Sequence, residues 1–410
     1  MSADDVVVTG LGIVSPVGGD ARSTMKALLD GESGVTLLPP DQRERTPVHL
    51  YAPVDDGALT QVARRERLRH DRSVHLALQA GREAWQDAGA PAAEPSRVAS
   101  VVATGMGGLT ILLGLHERYL AKGPVGLPAH TVTGIMANAS SALLAVEIGA
   151  RAAAVSLASA CASGSDAIAH AVRLFRDDEI DLAVAGGTEA IVHPVTLAAF
   201  GALRALSTRH DDPSRASRPF DRDRDGFVLG EGAAILVLER RRHAQGRGAR
   251  ILARVAGAGS TCDGSHLVAP DPTGHWNAEA IGKALRAAGI GPRDISCVSA
   301  HATATVQGDR AENEALKKAF GGALSDICVT ALKSSFGHTI GASGALAAAV
   351  AAMSVRDQAV PPTRNLDHPD PAIDLDVVRE TPRPLPAGAA VLVNAAGFGG
   401  HNTALVIAGE

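Results

Sequence analysis

The stretch VSLASACASGSDAIAHAVRLF, residues 155–175, indicates the fold class. It begins as a short apolar strand, passes through Ala, Ser and Gly, and continues with apolar residues at helical spacing. A second stretch at residues 329–353, VTALKSSFGHTIGASGALAAAVAAM, repeats this order. Its helix is apolar on nearly every side, so we expect it to lie in the centre of the protein. The repeat predicts two similar halves that meet near residue 250.

The rest of the chain alternates apolar strands with longer helical patterns. This alternation predicts an α/β fold with buried, largely parallel strands. We therefore expect two domains, residues 1–250 and residues 251–410. The predicted strands cover residues 5–12, 97–108, 153–160, 181–187, 389–397 and 403–409, and the clearest helices cover residues 75–90, 165–179 and 343–355.

The composition is that of a soluble globular protein, with 46% hydrophobic and 20% charged residues among 410. A net charge of −5 argues against nucleic acid as a partner. The acidic start of the chain does not resemble a signal peptide, and its apolar runs fall short of the roughly 20 residues that span a bilayer. The four cysteines show no paired CxxC spacing, which favours reduced thiols without a metal. These features predict a cytoplasmic protein that does not bind a membrane.

Cys161 lies where the predicted strand ends and the predicted helix begins, and its neighbours are all small. A helix N-terminus favours the thiolate and lowers a thiol pKa, and small neighbours leave room for a substrate carbonyl. The alternative is a buried structural thiol, which is what we expect for Cys262, Cys297 and Cys328. The junction favours a nucleophile at Cys161.

Two histidines occupy similar positions at strand ends. His301 follows the strand CVSA, and His338 lies five residues after Lys333 in KSSFGHTIGASG. A single histidine of this kind is usually a satisfied polar group. Two of them, together with a thiol in the same kind of place, indicate a site, because open α/β sheets place their sites at the carboxyl ends of strands.

Two other motifs lack the context that their usual function needs. NAAGFGGHN, residues 394–402, resembles a dinucleotide loop, but the following TALVIAG predicts a strand rather than a helix. We expect a tight turn there whose backbone N–H groups supply half of an oxyanion hole. DRDRDGFVLGEG, residues 221–232, resembles a calcium loop, but Gly232 occupies the position that needs an acid, so we do not expect calcium.

Several motifs in order over the whole chain resemble the β-ketoacyl-acyl carrier protein synthases of the I/II, elongating type. They run from VVVTGLGIVSPVG through ACASGSDAI, SAHATATVQGD and LKSSFGHTIGASGAL to GFGGHN. The resemblance implies a thiolase-like fold of two similar α/β halves in a five-layer αβαβα arrangement. It also implies an acyl carrier protein as partner, usually a homodimer, with a heterodimer containing a chain-length subunit as an alternative.

The resemblance also implies a reaction and a set of residues. An acyl group would be transferred to Cys161 from a carrier protein's phosphopantetheine arm, with no other cofactor and no metal. A malonyl thioester would then lose CO₂ and condense with it, while His301 and His338 stabilise the enolate. The other residues implied are Lys333 and Phe398 in catalysis, Thr303 and Thr305 at the pantetheine, Phe398 and Gly399 at the gate, Met106 and Phe200 in the acyl pocket, and Arg209 at the carrier entrance.

The chain departs from the family pattern at three positions. Ala347 stands where the family usually has a Glu that pairs with Lys333, which leaves Lys333 less buried, neutral, or paired with Asp309 or Glu312. Ala395 and Ala396 replace a hydroxyl and a ring before the gate. The alternatives to fatty-acid elongation are therefore a ketosynthase of a specialised polyketide or polyene system and its non-catalytic chain-length partner. A hydrolase is a further, weaker alternative.

Overall fold

A computed structural model describes residues 5–410. Its strands are β1 (Val6–Val14), β2 (Thr36–Leu37), β3 (Leu50–Tyr51), β4 (Val98–Ala103), β5 (Ala153–Val155), β6 (Leu182–Glu189), β7 (Gly232–Arg240), β8 (Ala253–Cys262), β9 (Ile295–Ser299), β10 (Cys328–Thr330), β11 (Ala359–Val360), β12 (Asp376–Val377), β13 (Arg383–Pro384), β14 (Ala390–Gly397) and β15 (His401–Ala408).

Helices separate most of these strands. They are α1 (Ala21–Leu29), α2 (Pro40–Arg43), α3 (Arg64–Arg67), α4 (Arg72–Asp87), α5 (Leu109–Lys122), α6 (Thr131–Ile135), α7 (Ala139–Ile148), α8 (Ser163–Arg176), α9 (Pro194–Ala202), α10 (Arg241–Gly246), α11 (His275–Ala288), α12 (Val306–Phe320), α13 (Lys333–Phe336) and α14 (Ser343–Asp357).

The main sheet has 11 strands in the order β12-β10-β9-β14-β15-β8-β1-β7-β6-β4-β5. The outer strands pair in parallel, whereas the central run from β14 to β6 pairs antiparallel. The prediction of largely parallel strands is therefore wrong for the centre of the sheet. The error arises because central strands such as β1 are buried along their whole length, as parallel strands are. An apolar run in the sequence therefore does not reveal whether a strand is parallel or antiparallel.

The helices form layers on both sides of this sheet and between its two halves. Helices α4 and α7 cover the half that contains β1 to β7. Helix α11 covers β8 and β15 in the other half, and α12 packs against α11. Helices α8 and α14 pack against each other and against strands of both halves. Twelve of the fifteen residues of α14 are buried, which confirms its central position. This is the five-layer thiolase-like arrangement. The predicted domains, residues 1–250 and 251–410, stay a prediction, because both halves share one sheet and one central core.

The same turn precedes both central helices. A one-turn 3-10 helix covers Ala160–Ala162 before α8 and Ile340–Ala342 before α14. The first residue of each has a positive φ, 50° at Ala160 and 41° at Ile340, a conformation that normally favours glycine. The strand predicted at residues 153–160 ends at Val155. The Leu157 carbonyl still accepts the Thr104 N–H over 3.3 Å, whereas the Ser159 N–H donates to the Ser163 hydroxyl.

Within residues 5–410, every helix is too short or too polar to cross a lipid bilayer. The cytoplasmic location stays a prediction.

Candidate active site

A cavity of about 500 Å³ opens beside Cys161 and receives residues from both halves of the sheet. The predicted site residues that line it are Met106, Cys161, Phe200, His301, Thr303, Thr305, His338 and Phe398. Lys333 lies behind the wall, and Gly399 lies between two lining residues, Phe398 and Gly400. The structure thus brings together eight residues that are far apart in sequence.

Cys161 lies in the strained turn that leads into α8, and its side chain is 7% exposed. Burial raises the pKa of its thiol to about 12, and the positive charge of Lys333 and the Phe398 N–H offset this only in part. The prediction that the helix N-terminus lowers this pKa is therefore wrong, because removal of the thiolate from water outweighs the favourable charges. The resting thiol is neutral.

The Gly-rich segment at residues 397–400 forms the hairpin turn between β14 and β15, as predicted, and lies against Cys161. A Cβ atom on Gly397 would lie 2.7 Å from the Ser159 oxygen and 3.1 Å from the Cys161 nitrogen, so only glycine allows this approach. Gly399 has a φ of 88°, and its N–H donates to the Leu267 carbonyl over 2.7 Å. The N–H groups of Cys161 and Phe398 both reach the Cys161 sulfur. Two backbone donors therefore converge where a tetrahedral oxyanion would form.

His301 and His338 face one another across the cavity, with ring centroids 5.5 Å apart and ring planes at 87°. Burial and the nearby Lys333 charge hold the pKa of both rings well below the ordinary value. Both imidazoles are therefore neutral at physiological pH. A neutral imidazole has one N–H to donate, which suits an oxygen that becomes negative during a reaction.

Ser343, the first residue of α14, orients the His338 ring. Its hydroxyl lies 3.0 Å from His338 Nδ1 and 3.0 Å from the Thr339 hydroxyl. When Ser343 donates to Nδ1, the ring proton resides on Nε2, which is the nitrogen left for the cavity. Phe227 packs edge-on against the same ring with centroids 5.1 Å apart. The turn before α14 therefore leads into the serine that orients His338, whereas the equivalent turn before α8 carries the thiol of Cys161.

The segment HATAT, residues 301–305, is held in an unusual conformation by two buried carboxylates of α12. Ala302 and Ala304 both have positive φ, 25° and 66°. Glu312 accepts the N–H groups of His301 and Ala302, each over 2.7 Å. Asp309 accepts the Ala304 N–H over 3.1 Å. These bonds offset the cost of the strained alanines and fix the position of His301.

The Asp309 carboxylate is itself neutralised by a buried guanidinium. Arg224 Nε lies 3.2 Å from Asp309, and both side chains are fully buried. The guanidinium of Arg224 also donates to the carbonyls of Thr305 and Val306. A single cation therefore fixes the C-terminal end of the segment that carries Thr303 and Thr305, whose hydroxyls lie 3.1 Å apart.

Lys333 is buried, and its ammonium donates to the main-chain carbonyl of His301. Burial lowers its pKa to about 8, while the negative charge of Glu312, and then of Cys161 and Asp309, works in the opposite direction. Lys333 is therefore buried, and the hydrogen bond described for it goes to His301, while the charges of Glu312 and Asp309 act on it from further away. Ala347 instead packs against the central apolar core.

A third buried carboxylate, Glu189 at the end of β6, connects the acyl side of the cavity to the second turn. It accepts bonds from the Thr104 hydroxyl (2.9 Å), the Gly105 N–H (2.7 Å) and the Gly341 N–H (3.1 Å). Burial raises its pKa to about 7. Glu189 thereby holds the backbone next to Met106 in place.

The basic residue at the mouth is Arg204, which is exposed and lines the cavity. Arg209, predicted for that place, lies outside the lining, and its guanidinium donates to the Asp223 carbonyl. The side chain of Arg209 points toward residues 221–225. Its place in the sequence, a few residues after Arg204, therefore did not predict where its guanidinium lies. Ala396 lines the cavity, whereas Ala395 is buried in β14.

The segment at residues 221–232 serves a structural purpose. Asp221 accepts the Nε–H of Arg218 over 3.1 Å and the N–H groups of Asp223 and His368, each over 2.8 Å. The strand β7 follows it, as predicted, where a calcium-binding EF-hand would place a helix.

Sequence reasoning missed Ser343, Glu189, Arg224 and Arg204. For Glu189 the signal was a charged residue within an otherwise apolar or Gly-rich segment, and such residues are rarely buried unless paired. Arg224 lies in the charged run DRDRD, where nothing in the sequence marks one arginine as buried. Ser343 carried no signal of its own, because serines begin many helices.

Comparison with known proteins places the chain in a family. The model of the beta-ketoacyl synthase N-terminal domain matches residues 3–244, and that of the C-terminal domain matches residues 252–367. The chain is 41% identical over 403 residues to 3-oxoacyl-[acyl-carrier-protein] synthase 2 of Mycobacterium bovis, covering 98% of this chain and 96% of the relative. The synthase of the same name from Mycobacterium leprae is 40% identical over 404 residues, with the same coverage.

Solved structures agree with this assignment. One is a ketosynthase in complex with its type II polyketide synthase acyl carrier protein and bound to the hexaketide; its TM-score is 0.92 and its identity 30%, with 99% of each chain covered. A beta-ketoacyl synthase from Burkholderia phymatum has a TM-score of 0.90 and 33% identity, again covering 99% of each chain. The chain belongs to the β-ketoacyl synthase family. It is a condensing enzyme of the acyltransferase class.

Proposed function

We propose that this enzyme is a β-ketoacyl-acyl carrier protein synthase that lengthens a Cys161-bound acyl chain by decarboxylative condensation with a malonyl carrier thioester. The observation that carries the proposal is the pair of neutral, perpendicular imidazoles of His301 and His338 in the same cavity as a buried thiol. A hydrolase would need a base for water, and both rings have a pKa well below the ordinary value, which makes them weak bases. The curated 3-oxoacyl synthases support the same reaction.

In the first half-reaction Cys161 attacks the acyl thioester carbonyl. The neutral thiol loses its proton as the C–S bond forms, and that proton ends on the departing pantetheine sulfur. The oxyanion lies between the N–H groups of Cys161 and Phe398. The strained turn at Ala160 and the approach of Gly397 hold both groups in place before substrate arrives. This preorganisation lowers the barrier without reorganisation during the step.

In the second half-reaction the malonyl thioester loses CO₂, and its carbonyl oxygen takes up the negative charge. The N–H groups of His301 and His338 donate to that oxygen. The enolate carbon attacks the acyl carbonyl, the Cys161 sulfur leaves, and one proton from solvent restores the thiol. Lys333 touches no reacting atom in this scheme; its charge keeps both rings neutral and fixes the His301 carbonyl.

The partner that delivers both substrates is an acyl carrier protein, as in the ketosynthase complex of similar structure. Its phosphopantetheine arm would pass Thr303 and Thr305, whose hydroxyls line the cavity. Arg204 at the mouth offers a positive charge to an acidic carrier surface. Arg209 would act there only indirectly, by holding residues 221–225 in place. The acyl chain would extend past Phe200 and Met106.

A second chain would cover the edge of the sheet at β5. This edge strand has three residues, all at least partly exposed. Nine of the fifteen exposed large apolar side chains among residues 5–410 lie between residues 106 and 146, beside this edge: Met106, Leu112, Tyr119, Leu120, Val125, Leu127, Val132, Met136 and Val146. Such a concentration marks an interface. We propose a homodimer through this surface.

The alternative is a ketosynthase subunit of a specialised polyketide system with a different chain as partner. A ketosynthase/chain length factor, the ishigamide one, has a TM-score of 0.89 and 31% identity over 99% of both chains. The small side chain of Ala396 at the cavity wall favours an unusual acyl chain in either case. The non-catalytic subunit is the weakest form of this alternative, because Cys161 and both histidines are present.

Intact-mass spectrometry tests the proposal. The purified protein is mixed with acyl carrier thioesters of increasing length, with and without malonyl carrier thioester. We expect one acyl adduct on the wild-type protein and none on Cys161→Ala. Addition of malonyl carrier thioester should remove the adduct and give a carrier-bound product two carbons longer. An adduct that persists with malonyl carrier, or release of free acid in its absence, would refute the condensation.

A further inference from the structure

Cys297 and Cys328 face each other on neighbouring strands of the sheet. Cys328 of β10 is in direct register with Cys297 of β9, and the two strands are parallel. Side chains at paired positions of parallel strands point to the same face of the sheet. Both side chains belong to the central apolar core, with exposed fractions of 5% and 1%.

The separation suits a covalent link. Neighbouring strands lie about 4.8 Å apart, and disulfides join Cα atoms roughly 4.4 to 6.8 Å apart. The Cys328 thiol donates to the carbonyl of Ser296, the residue before Cys297 on β9, over 3.6 Å. Both cysteines are free thiols in the structure.

The residues in register with Cys297 and Cys328 continue onto β12, toward the surface. Asp376 of β12 is in register with Cys328, and its carboxylate pairs with Arg383 of β13. Asp376 is exposed and Arg383 partly exposed, so the Cys328 end of the row approaches solvent. The neighbouring Cys297 thiol and the positive charge of Arg383 lower the pKa of Cys328, whereas the Cys328 thiol and burial raise the pKa of Cys297.

We propose that Cys297 and Cys328 form a dithiol site that a peroxide converts to an intrachain disulfide. The Cys328 thiolate attacks one peroxide oxygen to give a sulfenic acid, and hydroxide leaves and becomes water. Cys297 then attacks the sulfenic sulfur, releasing the second water, so two thiols and one hydrogen peroxide give one disulfide and two waters. Reduction by a dithiol reverses the reaction.

The position of the site connects it to the catalytic cavity. The strand β9 leads to His301 two residues after its end, and β10 leads to Lys333 three residues after its end. The disulfide would therefore link the strand that leads to His301, a proposed enolate donor, to the strand that leads to Lys333, whose ammonium bonds to the His301 carbonyl.

The test is thiol mapping of the full-length protein after exposure to hydrogen peroxide, followed by acid quench, unfolding in N-ethylmaleimide and digestion. We expect a Cys297–Cys328 linked peptide that dithiothreitol abolishes, and loss of both maleimide adducts. Cys262 is exposed, so the prediction of a buried thiol there is wrong, and in the same sample it reports that peroxide was effective.

Matched variants separate the site from scrambled products. Cys262→Ser should still form the linked peptide, whereas Cys297→Ser and Cys328→Ser should lack it. Full maleimide labelling of Cys297 and Cys328 in a sample whose Cys262 is oxidised would overturn the proposal. Linkage of either residue to Cys161 or Cys262 in place of its neighbour would overturn it as well.

Discussion

The backbone of Gly397 lies against the amide nitrogen of Cys161 so closely that a methyl group on Gly397 would be 3.1 Å from that nitrogen. We therefore expect Gly397→Ala to displace the hairpin turn and the Phe398 N–H with it. Loss of one oxyanion donor should slow acylation of Cys161 by about 10²–10³-fold. Single-turnover acylation measures this. Gly246→Ala, where a Cβ meets nothing within 4 Å, is the control, and equal rates for both variants would contradict the assignment.

The raised pKa of Cys161 predicts a steep pH dependence of its alkylation. Below the pKa of about 12, the thiolate fraction rises about tenfold per pH unit, so the iodoacetamide rate should climb steadily from pH 7 to pH 8. Above pH 8 the slope should fall below tenfold, because Lys333 loses its charge around its pKa of about 8 and the thiol pKa then rises further. In unfolded protein the rate should level off near pH 8.5, the ordinary thiol pKa. A plateau in the folded protein below pH 8 would show a resting thiolate.

Replacing the two histidines should separate the half-reactions. His301→Ala or His338→Ala removes one donor to the enolate oxygen, so each should slow product formation by about 10²–10³-fold. Acylation of Cys161 should remain within a few-fold of wild type, because its oxyanion is held by backbone groups. His170→Ala on α8, outside the cavity lining, is the matched control. An equal loss of acylation in both histidine variants would assign the rings to the first half-reaction.

Ala396→Phe tests the size of the cavity. Ala396 lines a space of about 500 Å³, and an added ring would occupy part of it. We expect kcat/KM for the longest accepted acyl carrier thioester to fall at least tenfold, while short chains react nearly as before. Ala395→Ser, next to it in β14 but buried away from the cavity, serves as the control. Uniform loss over all chain lengths would show that the ring disturbs the gate rather than the acyl space.

Val146→Asp tests the proposed dimer surface. Val146 is 79% exposed on α7, so a charge there costs the folded monomer little but would be buried between two chains. Sedimentation should show a dimer for wild type and a large shift to monomer for the variant, with unchanged circular dichroism. Val195→Asp, at an exposed apolar residue of α9, is the control. A wild-type monomer that dimerises only with a chain-length subunit would replace the homodimer by the heterodimer.

The sequence predicted much of the fold because its signals are local or repeated. The strand–turn–helix order at residues 155–175 and 329–353 identified α8 and α14, and the all-round apolar pattern of α14 placed it in the core. Strand direction in the centre of the sheet was not predictable, because antiparallel strands buried on both faces have the apolar pattern of parallel ones.

The site was predicted as far as residue chemistry and motif order extend. Cys161, His301 and His338 do line one cavity, but the thiol pKa moves opposite to the prediction, because burial depends on the whole fold. The carboxylate of Glu189 binds main-chain N–H groups of distant loops, and that of Glu312 binds those of the segment just before its own helix. No sequence pattern specifies such partners. The direction of the Arg209 side chain was not predictable for the same reason, since it bonds to a carbonyl fourteen residues away.

The strained turn that precedes α8 and α14 occurs twice, but only the first copy contains sulfur. At the position equivalent to Cys161 the second copy has Gly341, and its N–H serves Glu189. If Cys161 is the acylated residue, as proposed, each chain carries one acyl group at a time, whatever the length of that group. Every turnover must then empty the same sulfur before the next acyl group is accepted.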